Sequence, residues 1–390
     1  MQTINDVNKF HLWFPNIFEF KGGIQVYSAF FLQALQSLYP QSGYDVFLKH
    51  DAHTSADIPY LPGTRFHFAG LYPQKIRTSV FATDLISQGL LQRPNLVITT
   101  HINFTLAAYL LKRLTNIPYW AIAHGIDAWN IKNPLLKTAL QNADLILAVS
   151  CYTRDRLLKE QNLDPDKVFI LPNTFDLNRF RPAPKPKYLL EKYKLEAEQP
   201  VILTVARLSK LEQYKGYDQI LQAIPQIRQL IPDIHYIIVG KGDDRLRIEQ
   251  LIAKLKLQDC VTLAGFVPDE QLCDYYNLCD VFAMPSKGEG FGIVYLEALA
   301  CGKPVLGGNQ DGAIDALCNG KLGALVNPDN VAEIAQSLMQ ILLGQYPNTL
   351  MYQPVSLRQK VIDIFGFERF QVTLASYLDE NFHYNHLIKN

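Results

Sequence analysis

Two glutamates with seven residues between them, Glu289 and Glu297, bracket Gly290 and Gly292, and Gly288 stands just ahead of the pair. The residues ahead of them, 280–285, are mostly apolar, and behind them Ile293, Leu296, Leu299 and Ala300 recur at helical spacing until Gly302, with Pro304 opening the next strand. The pattern is a strand, a glycine loop and a helix that starts between Gly290 and Gly292. Glycines at a helix start let backbone amides come close to a ligand, and the unpaired N–H groups together with the helix dipole favour an anion there, such as a phosphate. Carboxylates beside an anion would repel it, so Glu289 and Glu297 read as acceptors for hydroxyl groups. A ligand with both phosphates and sugar hydroxyls satisfies every group. Taken in isolation, the stretch also fits a glycine-rich turn with two solvated glutamates.

Other residues carry compatible chemistry. Arg207 follows the apolar run 201–206, and Lys215-Gly216 opens the next helical pattern. Two cations in these places can converge on one phosphate cluster, arginine through its planar fork and lysine as a point charge, although alone they also read as exposed surface cations. His124, in Ala123-His-Gly-Ile-Asp127, follows a strand end, which is where open parallel sheets bind ligands. A lone histidine is more often structural; the position and the neighbouring glycine single this one out, and Asp127 is close enough to share its site. Gly22-Gly23 sits between the first strand and a helical pattern over 24–39 and also fits a plain tight turn. Neither it nor Gly240-Lys-Gly242 followed by Arg245 completes G-x-G-x-x-G, so a dinucleotide fingerprint is absent. Asp164-Pro-Asp166 falls in a turn and reads as a loop, so no metal and no cofactor is expected.

These residues need strands that end beside them. Apolar runs at 10–14, 44–48, 96–100, 119–124 and 145–150 alternate with helical patterns near 80–92, 104–115 and 133–142, which predicts an α/β domain with a parallel sheet buried on both faces. A second alternation begins near 199. The fold class expected is α/β with two doubly wound, Rossmann-like domains: residues 1–180, a linker over 181–198 stiffened by Pro182, Pro184 and Pro186, a second domain over 199–365, and a last helix within 366–390. Lysine plus arginine balance aspartate plus glutamate at 37 each, which argues against a nucleic-acid partner held by bulk charge. The six cysteines show no C-x-x-C pair or zinc spacing and read as buried thiols of a reducing compartment. No apolar run is long enough to span a membrane, and the opening residues lack a signal-peptide pattern, so a cytoplasmic location is expected.

Glu289 and Glu297 around Gly290-Phe-Gly292, followed by Ala298-Leu-Ala-Cys-Gly-Lys-Pro-Val305, resemble the signature of retaining glycosyltransferases of the GT-B fold, the large bacterial family of group 1 glycosyl transferases. The resemblance spans about residues 10–380. Pro172-Asn-Thr-Phe-Asp176 is similar to the family's Pro-Asn-Gly-Val-Asp, with Thr174 in place of glycine. It implies that the two domains face a cleft and that the last helix returns to the first domain, which serves the acceptor. Glu297 would hold the ribose of a nucleotide-sugar donor. Glu289 and the stretch Gly290, Phe291, Gly292 and Ile293 would contact the transferred sugar and the diphosphate. Arg207 and Lys215 would bind the diphosphate, with Gly22 and Gly23 approaching it from the first domain, while the backbone of Phe266 and Val267 would face the base. His124 would touch the sugar, which makes His124, Glu289, Arg207 and Lys215 the catalytic set. The implied reaction moves a sugar, with GDP-mannose as the suggested donor, to a hydroxyl of a glycan or lipid-linked acceptor with retention and without metal. Peripheral membrane contact through the first domain would accompany a lipid-linked acceptor. Two other readings share these residues: a nucleotide-sugar isomerase or phosphorylase of the same fold, and a catalytically silent nucleotide-sugar-binding protein.

Overall fold

The computed structural model describes residues 8–19, 22–54 and 63–387, with residues 380–387 as backbone alone. The opening residues 1–7, on which the expected lack of a signal peptide rests, and Lys21 of the first loop lie outside these. The chain divides into two compact units, one formed by the residues up to Thr174 together with those from Phe367 onward, the other by Phe175–Gly366.

In the first unit the chain runs β1 (Lys9–Phe14), α1 (Gly23–Leu38), β2 (Gly43–Leu48), β3 (Thr64–Phe68), α2 (Gln74–Gln92), β4 (Leu96–Thr99), α3 (Thr105–Thr115), β5 (Tyr119–Ala123), α4 (Pro134–Gln141), β6 (Leu145–Ala148), α5 (Cys151–Gln161) and β7 (Val168–Ile170). Its described strands form one parallel sheet in the order β3-β2-β1-β4-β5-β6-β7. Parallel strands covered by helices on both faces must be apolar at successive positions, and Phe10, Leu12, Trp13 and Phe14 of β1 are all fully buried. Strand β3 escapes the sequence reading because it alternates: Arg65 and His67 reach back to Asp45 of β2 at 2.7 and 2.8 Å, and this edge strand is only half-buried. Asp45, shut away from water, is satisfied by those two partners.

The second unit contains α6 (Lys187–Tyr193), β8 (Val201–Val205), α7 (Tyr217–Ile227), β9 (His235–Val239), α8 (Arg245–Leu255), β10 (Val261–Gly265), α9 (Asp269–Leu278), β11 (Val281–Met284), α10 (Ile293–Ala300), β12 (Val305–Gly308), α11 (Ala313–Ala316), β13 (Ala324–Val326), α12 (Val331–Leu342) and α13 (Pro354–Phe365). Its parallel sheet has the order β10-β9-β8-β11-β12-β13. The proline-rich segment 181–198, expected as a solvated linker, is part of this unit. Asn277 accepts from the Ala183 amide at 2.8 Å and donates to the Arg181 carbonyl at 3.0 Å, while Lys185 bonds Asp280 at 2.8 Å; α6 follows at once. Backbone partners supplied by α9 and the loop after it dock a stretch whose composition alone suggests solvent.

The last helix, α14 (Phe367–Leu387), belongs to the first unit, where Phe367 meets Phe30 and Phe370 meets Tyr27 of α1 with ring centroids 5.8 and 5.6 Å apart. Among the described residues no helix is long and apolar enough to cross a membrane. The cysteines are not uniformly buried as expected: Cys151 is exposed, and Cys273 and Cys318 are half-buried. Cys151 is the first residue of α5, where the chain leaves the sheet for solvent.

Arg358 of α13 ties the second unit's opening segment to α10. Its guanidinium donates to the carbonyls of Leu177 at 2.6 Å, Ala300 at 2.7 Å and Phe180. Arg358→Ala strands these three acceptors, and it is expected to lower the unfolding free energy by about 2–4 kcal/mol, seen in urea titration as a lower midpoint at unchanged slope.

Candidate active site

Strands β8 and β11 lie side by side, with Leu203 opposite Phe282, while β9 flanks β8 and β12 flanks β11. The order of connections reverses between β8 and β11, and in such sheets ligands bind beyond the carboxyl ends of the strands at that reversal. Arg207 follows β8 and the glycine loop follows β11, so sheet topology brings them together. The loop enters α10 through Gly292, whose φ of 88° is left-handed and where a Cβ would stand 2.5 Å from the Tyr295 ring. Asp311, fully buried just past β12, holds the loop in shape: one carboxylate oxygen accepts from Ser286 Oγ and the Glu289 amide, both at 2.7 Å, and the other from the Ala313 amide at 3.0 Å. Burial pushes the Asp311 carboxyl up to about 6 even against these donors. Sequence reasoning gave Asp311 no role; its signal was an acid inside Asn309-Gln-Asp-Gly312 directly after a strand.

Lys215 lies in a short 3-10 turn, Gln213–Lys215, and pairs with Glu289 Oε1, with Glu212 at 4.0 Å. Arg207 bonds Glu212 at 3.0 Å. The two cations therefore converge, but on Glu212 and Glu289, and they differ in exposure: the Lys215 side chain is 14% exposed and that of Arg207 59%. A lysine at a helix start normally reaches into water. This one is covered because the turn and the glycine loop interlock, with the Lys287 amide donating to the Tyr214 carbonyl at 3.0 Å and a Cβ at Gly216 (φ 85°) meeting the Pro285 carbonyl at 2.3 Å.

Glu297 lies little more than one turn into α10, less than the two turns its spacing from the glycines suggests, because the helix begins only at Ile293. It is 8% exposed, its Oε2 accepts from Tyr276 Oη at 2.7 Å, and burial pushes its carboxyl up to about 7. Phe291 turns its ring inward against Phe365 at 5.5 Å, so it can offer a ligand only its backbone; Ile293 is half-buried. Phe266 is 64% exposed with Lys241 4.7 Å above its ring, whereas the Val267 side chain is buried.

The first unit carries the remaining candidates. His124 follows β5, with the Tyr27 ring edge-on at 4.9 Å and its own amide donating to Asp127 Oδ1 at 3.0 Å. His124 Nε2 and Asp127 Oδ2 are both shielded from solvent and find no hydrogen-bond partner among the described residues, which leaves a donor–acceptor pair for a ligand. Burial holds the imidazole down to about 3 and pushes the carboxyl up to about 7, so His124 is neutral in ordinary buffers. Gly22 caps α1 with extended backbone, and a Cβ at Gly23 would meet nothing within 4 Å among the described residues, so their packing does not require glycine there. Beyond β2 and β4, Lys49, His50 and His101 are each held below their ordinary values by burial and then by cationic neighbours, His101 to about 4. A cavity of about 540 Å³ lined by His67, Phe68, Tyr72, Ser79 and Asp84 lies at the β3 edge, two strands out from the β1–β4 reversal. No cluster of metal-binding side chains occurs among the described residues, and Asp164 merely caps the turn Pro165–Lys167.

Two family models match the chain: "Glycosyltransferase Family 4" over residues 21–179 and "Glycosyl transferases group 1" over residues 188–354, the second containing every residue of the β8–β11 site. The chain belongs to the group 1 glycosyltransferases. A relative, the GDP-mannose-dependent alpha-(1-6)-phosphatidylinositol monomannoside mannosyltransferase of Mycolicibacterium smegmatis, is 33% identical over 235 residues, which is 57% of this chain and 60% of that protein. The chain thus matches about 60% of that curated relative's length. Its fold is that of solved structures including sucrose-phosphate synthase from Thermosynechococcus elongatus (TM-score 0.78, 22% identity, 96% of this chain and 99% of that one) and Anabaena HepE with UDP and glucose (TM-score 0.76, 18% identity, 96% and 100%). These two parallel-sheet α/β units are the GT-B fold.

For this group 1 chain the raised Glu297 carboxyl has a measurable consequence. Its folded pKa lies above the ordinary carboxylate value, so its ionisation takes stability away as pH climbs from about 4.5 through about 7. A hydroxyl donating to it favours the ionised form and would restore an ordinary pKa. Affinity for GDP or UDP is therefore expected to rise about tenfold from pH 6 to pH 8 with proton release, measured by calorimetry in buffers of differing ionisation heat. Asp311 titrates in the same window, so Glu297→Gln, which should flatten the profile, assigns the change.

Proposed function

We propose that this protein is a retaining glycosyltransferase that moves a hexose from a nucleotide-diphosphate sugar, GDP-mannose foremost, to a hydroxyl of a glycan or lipid-linked acceptor. The observation that carries the reading is the ion network of Arg207, Glu212, Lys215 and Glu289 at the β8–β11 reversal, beside the start of α10. Without ligand the cations are held by carboxylates; a diphosphate would replace those carboxylates as their partner and free Glu289 for sugar hydroxyls. As the bond from the anomeric carbon to the phosphate oxygen breaks, charge collects on the diphosphate, where Arg207, Lys215 and the amides of Gly290, Phe291 and Gly292 stabilise it in the role a metal ion would otherwise take. The acceptor oxygen bonds to the same face of that carbon, and its proton passes to the departing phosphate oxygen. Glu297 holds the ribose, the backbone at Phe266 and Val267 faces the base, Gly22 and Gly23 approach the diphosphate, and His124, neutral and with Nε2 unpaired, binds the sugar.

For the acceptor we favour an anionic, lipid-linked molecule on the cytoplasmic side of a membrane. Burial first, and then cationic neighbours, hold Lys49, His50 and His101 below their ordinary values: Arg77 acts on Lys49 and His50, and Lys49 on both histidines, a repulsion that an anion would relieve. Leu71, Tyr72 and Ile76 are exposed beside Lys75, a mixture suited to a peripheral lipid surface. The named relative that acts on a phosphatidylinositol mannoside supports the same class.

A panel of nucleotide sugars, assayed with and without lipid-linked acceptors in EDTA, tests the function. Acceptor-dependent transfer with retained configuration is expected, GDP-mannose giving the highest rate. Turnover of donor without an acceptor product would mark an isomerase or phosphorylase, binding without turnover a silent binding protein, and a loss of transfer in EDTA that Mg²⁺ restores would remove the assigned role of Arg207 and Lys215. Within the site, Lys215→Ala is expected to slow turnover at least about 10²-fold, as loss of one transition-state donor does. It should also destabilise the fold by about 3 kcal/mol through the stranded Glu289. Adding Glu289→Gln should recover melting temperature and leave turnover low; recovery of both would mean that the diphosphate binds elsewhere.

A further inference from the structure

Cys273 and Cys301 stand with their sulfurs 3.8 Å apart, between α9 and the end of α10. Cys301 is 1% exposed, whereas Cys273 is half-buried and can be reached from solvent. Asn277 Nδ2 donates to the Cys273 sulfur at 3.4 Å, and the Cys273 thiol donates to the Arg181 carbonyl at 3.7 Å. The contact with Cys301 holds the Cys273 thiol down to about 6, and the same contact together with burial pushes Cys301 up. An accessible, acidified thiol is thus placed against a shielded one, the arrangement in which one sulfur meets an oxidant and the other resolves the product. Neither takes part in the site chemistry above, yet both touch its frame: the Cys301 amide donates to the Glu297 carbonyl at 3.1 Å, and Tyr276, one turn after Cys273 on α9, bonds the Glu297 carboxylate.

We propose that Cys273 and Cys301 form a reversible disulfide on exposure to hydrogen peroxide and that this bond lowers nucleotide affinity by displacing Glu297. The Cys273 thiolate attacks one peroxide oxygen, the O–O bond breaks, and the departing hydroxide takes a proton to leave as water. The resulting sulfenic acid is attacked by Cys301, which forms the S–S bond, loses its proton and expels a second water. Both cysteines are oxidised, and one peroxide is reduced to two waters. Closing from 3.8 Å to an S–S bond of about 2.05 Å draws the end of α10 toward α9. Glu297 lies one turn before that end, and its bond to Tyr276 spans the same two helices, so the carboxylate cannot keep its aim.

The affinity half of this proposal rests on the donor site described above; the disulfide does not. The test uses the full chain carrying C151S, which removes the exposed cysteine that could cross-link two copies. After hydrogen peroxide and alkylation, peptide mapping should show Cys273 joined to Cys301, reversed by dithiothreitol, and C151S/C301S should instead give a dimedone-trapped sulfenic acid at Cys273. Calorimetry with GDP and UDP should show affinity lowered roughly threefold to tenfold in oxidised C151S, the worth of one misplaced hydrogen bond. The loss should reverse with dithiothreitol and be absent from C151S/C301S. Absence of the linked peptide, or linkage to Cys279 instead, overturns the disulfide; a linked protein with unchanged affinity overturns its effect. If the reduced protein binds neither nucleotide, the donor assignment fails, and the mapping still decides the disulfide.

Discussion

A lysine and a glutamate that are both largely withdrawn from water, Lys215 and Glu289, hold the second unit's central loops in one arrangement. Removing either charge from solvent is costly unless the other meets it, and a pair with one member deleted is worse than no pair. Meeting requires that two segments far apart in the chain arrive together. The turn ending in left-handed Gly216 must press on Pro285, and the glycine loop must be pinned by Asp311 beneath it. The pair therefore constrains backbone as much as charge. It also makes the network exchangeable, because Lys215 and Arg207 bind carboxylates that a more strongly charged anion can displace.

Much of the fold was legible because buried parallel strands leave nearly continuous apolar runs, as in Phe10–Phe14, interrupted by His11 alone, and Val201–Val205, interrupted by Thr204 alone. The parts that were not legible depend on distant partners. β3 alternates because Asp45 satisfies Arg65 and His67, and the segment 181–198 looks solvated although Asn277 and Asp280 receive its backbone and Lys185. α13, opening at Pro354, was not singled out although Leu357, Val361 and Phe365 recur on one helical face, because the charged and polar residues between them dilute a short stripe.

The same division holds in the site. Glu289, Glu297 and the glycines between them could be read because a loop and one helix fix their spacing, and Arg207 because it ends a strand. Glu212 and Tyr276 could not, since each acts only through a contact made in three dimensions, and the signal that Asp311 carries, an acid directly after a strand, does not reveal the loop it pins. Lys215 was placed correctly in the chain and wrongly in its surroundings: its type and position suggest solvent, and only the interlocked loops explain its burial.

The division of the chain into units has a consequence for how it is made. The second unit is a single uninterrupted segment, whereas the first is split around it. On α1, Tyr27, Phe30 and Phe31 wait for Phe367 and Phe370, which a ribosome reaches only after the whole second unit has been translated. At ordinary elongation speeds that interval is roughly 10–40 s, long compared with collapse of a domain. During it the nascent first unit shows an aromatic strip to the cell, so substitutions in α14 bear first on the yield of soluble chains and on chaperone demand, and only second on catalysis.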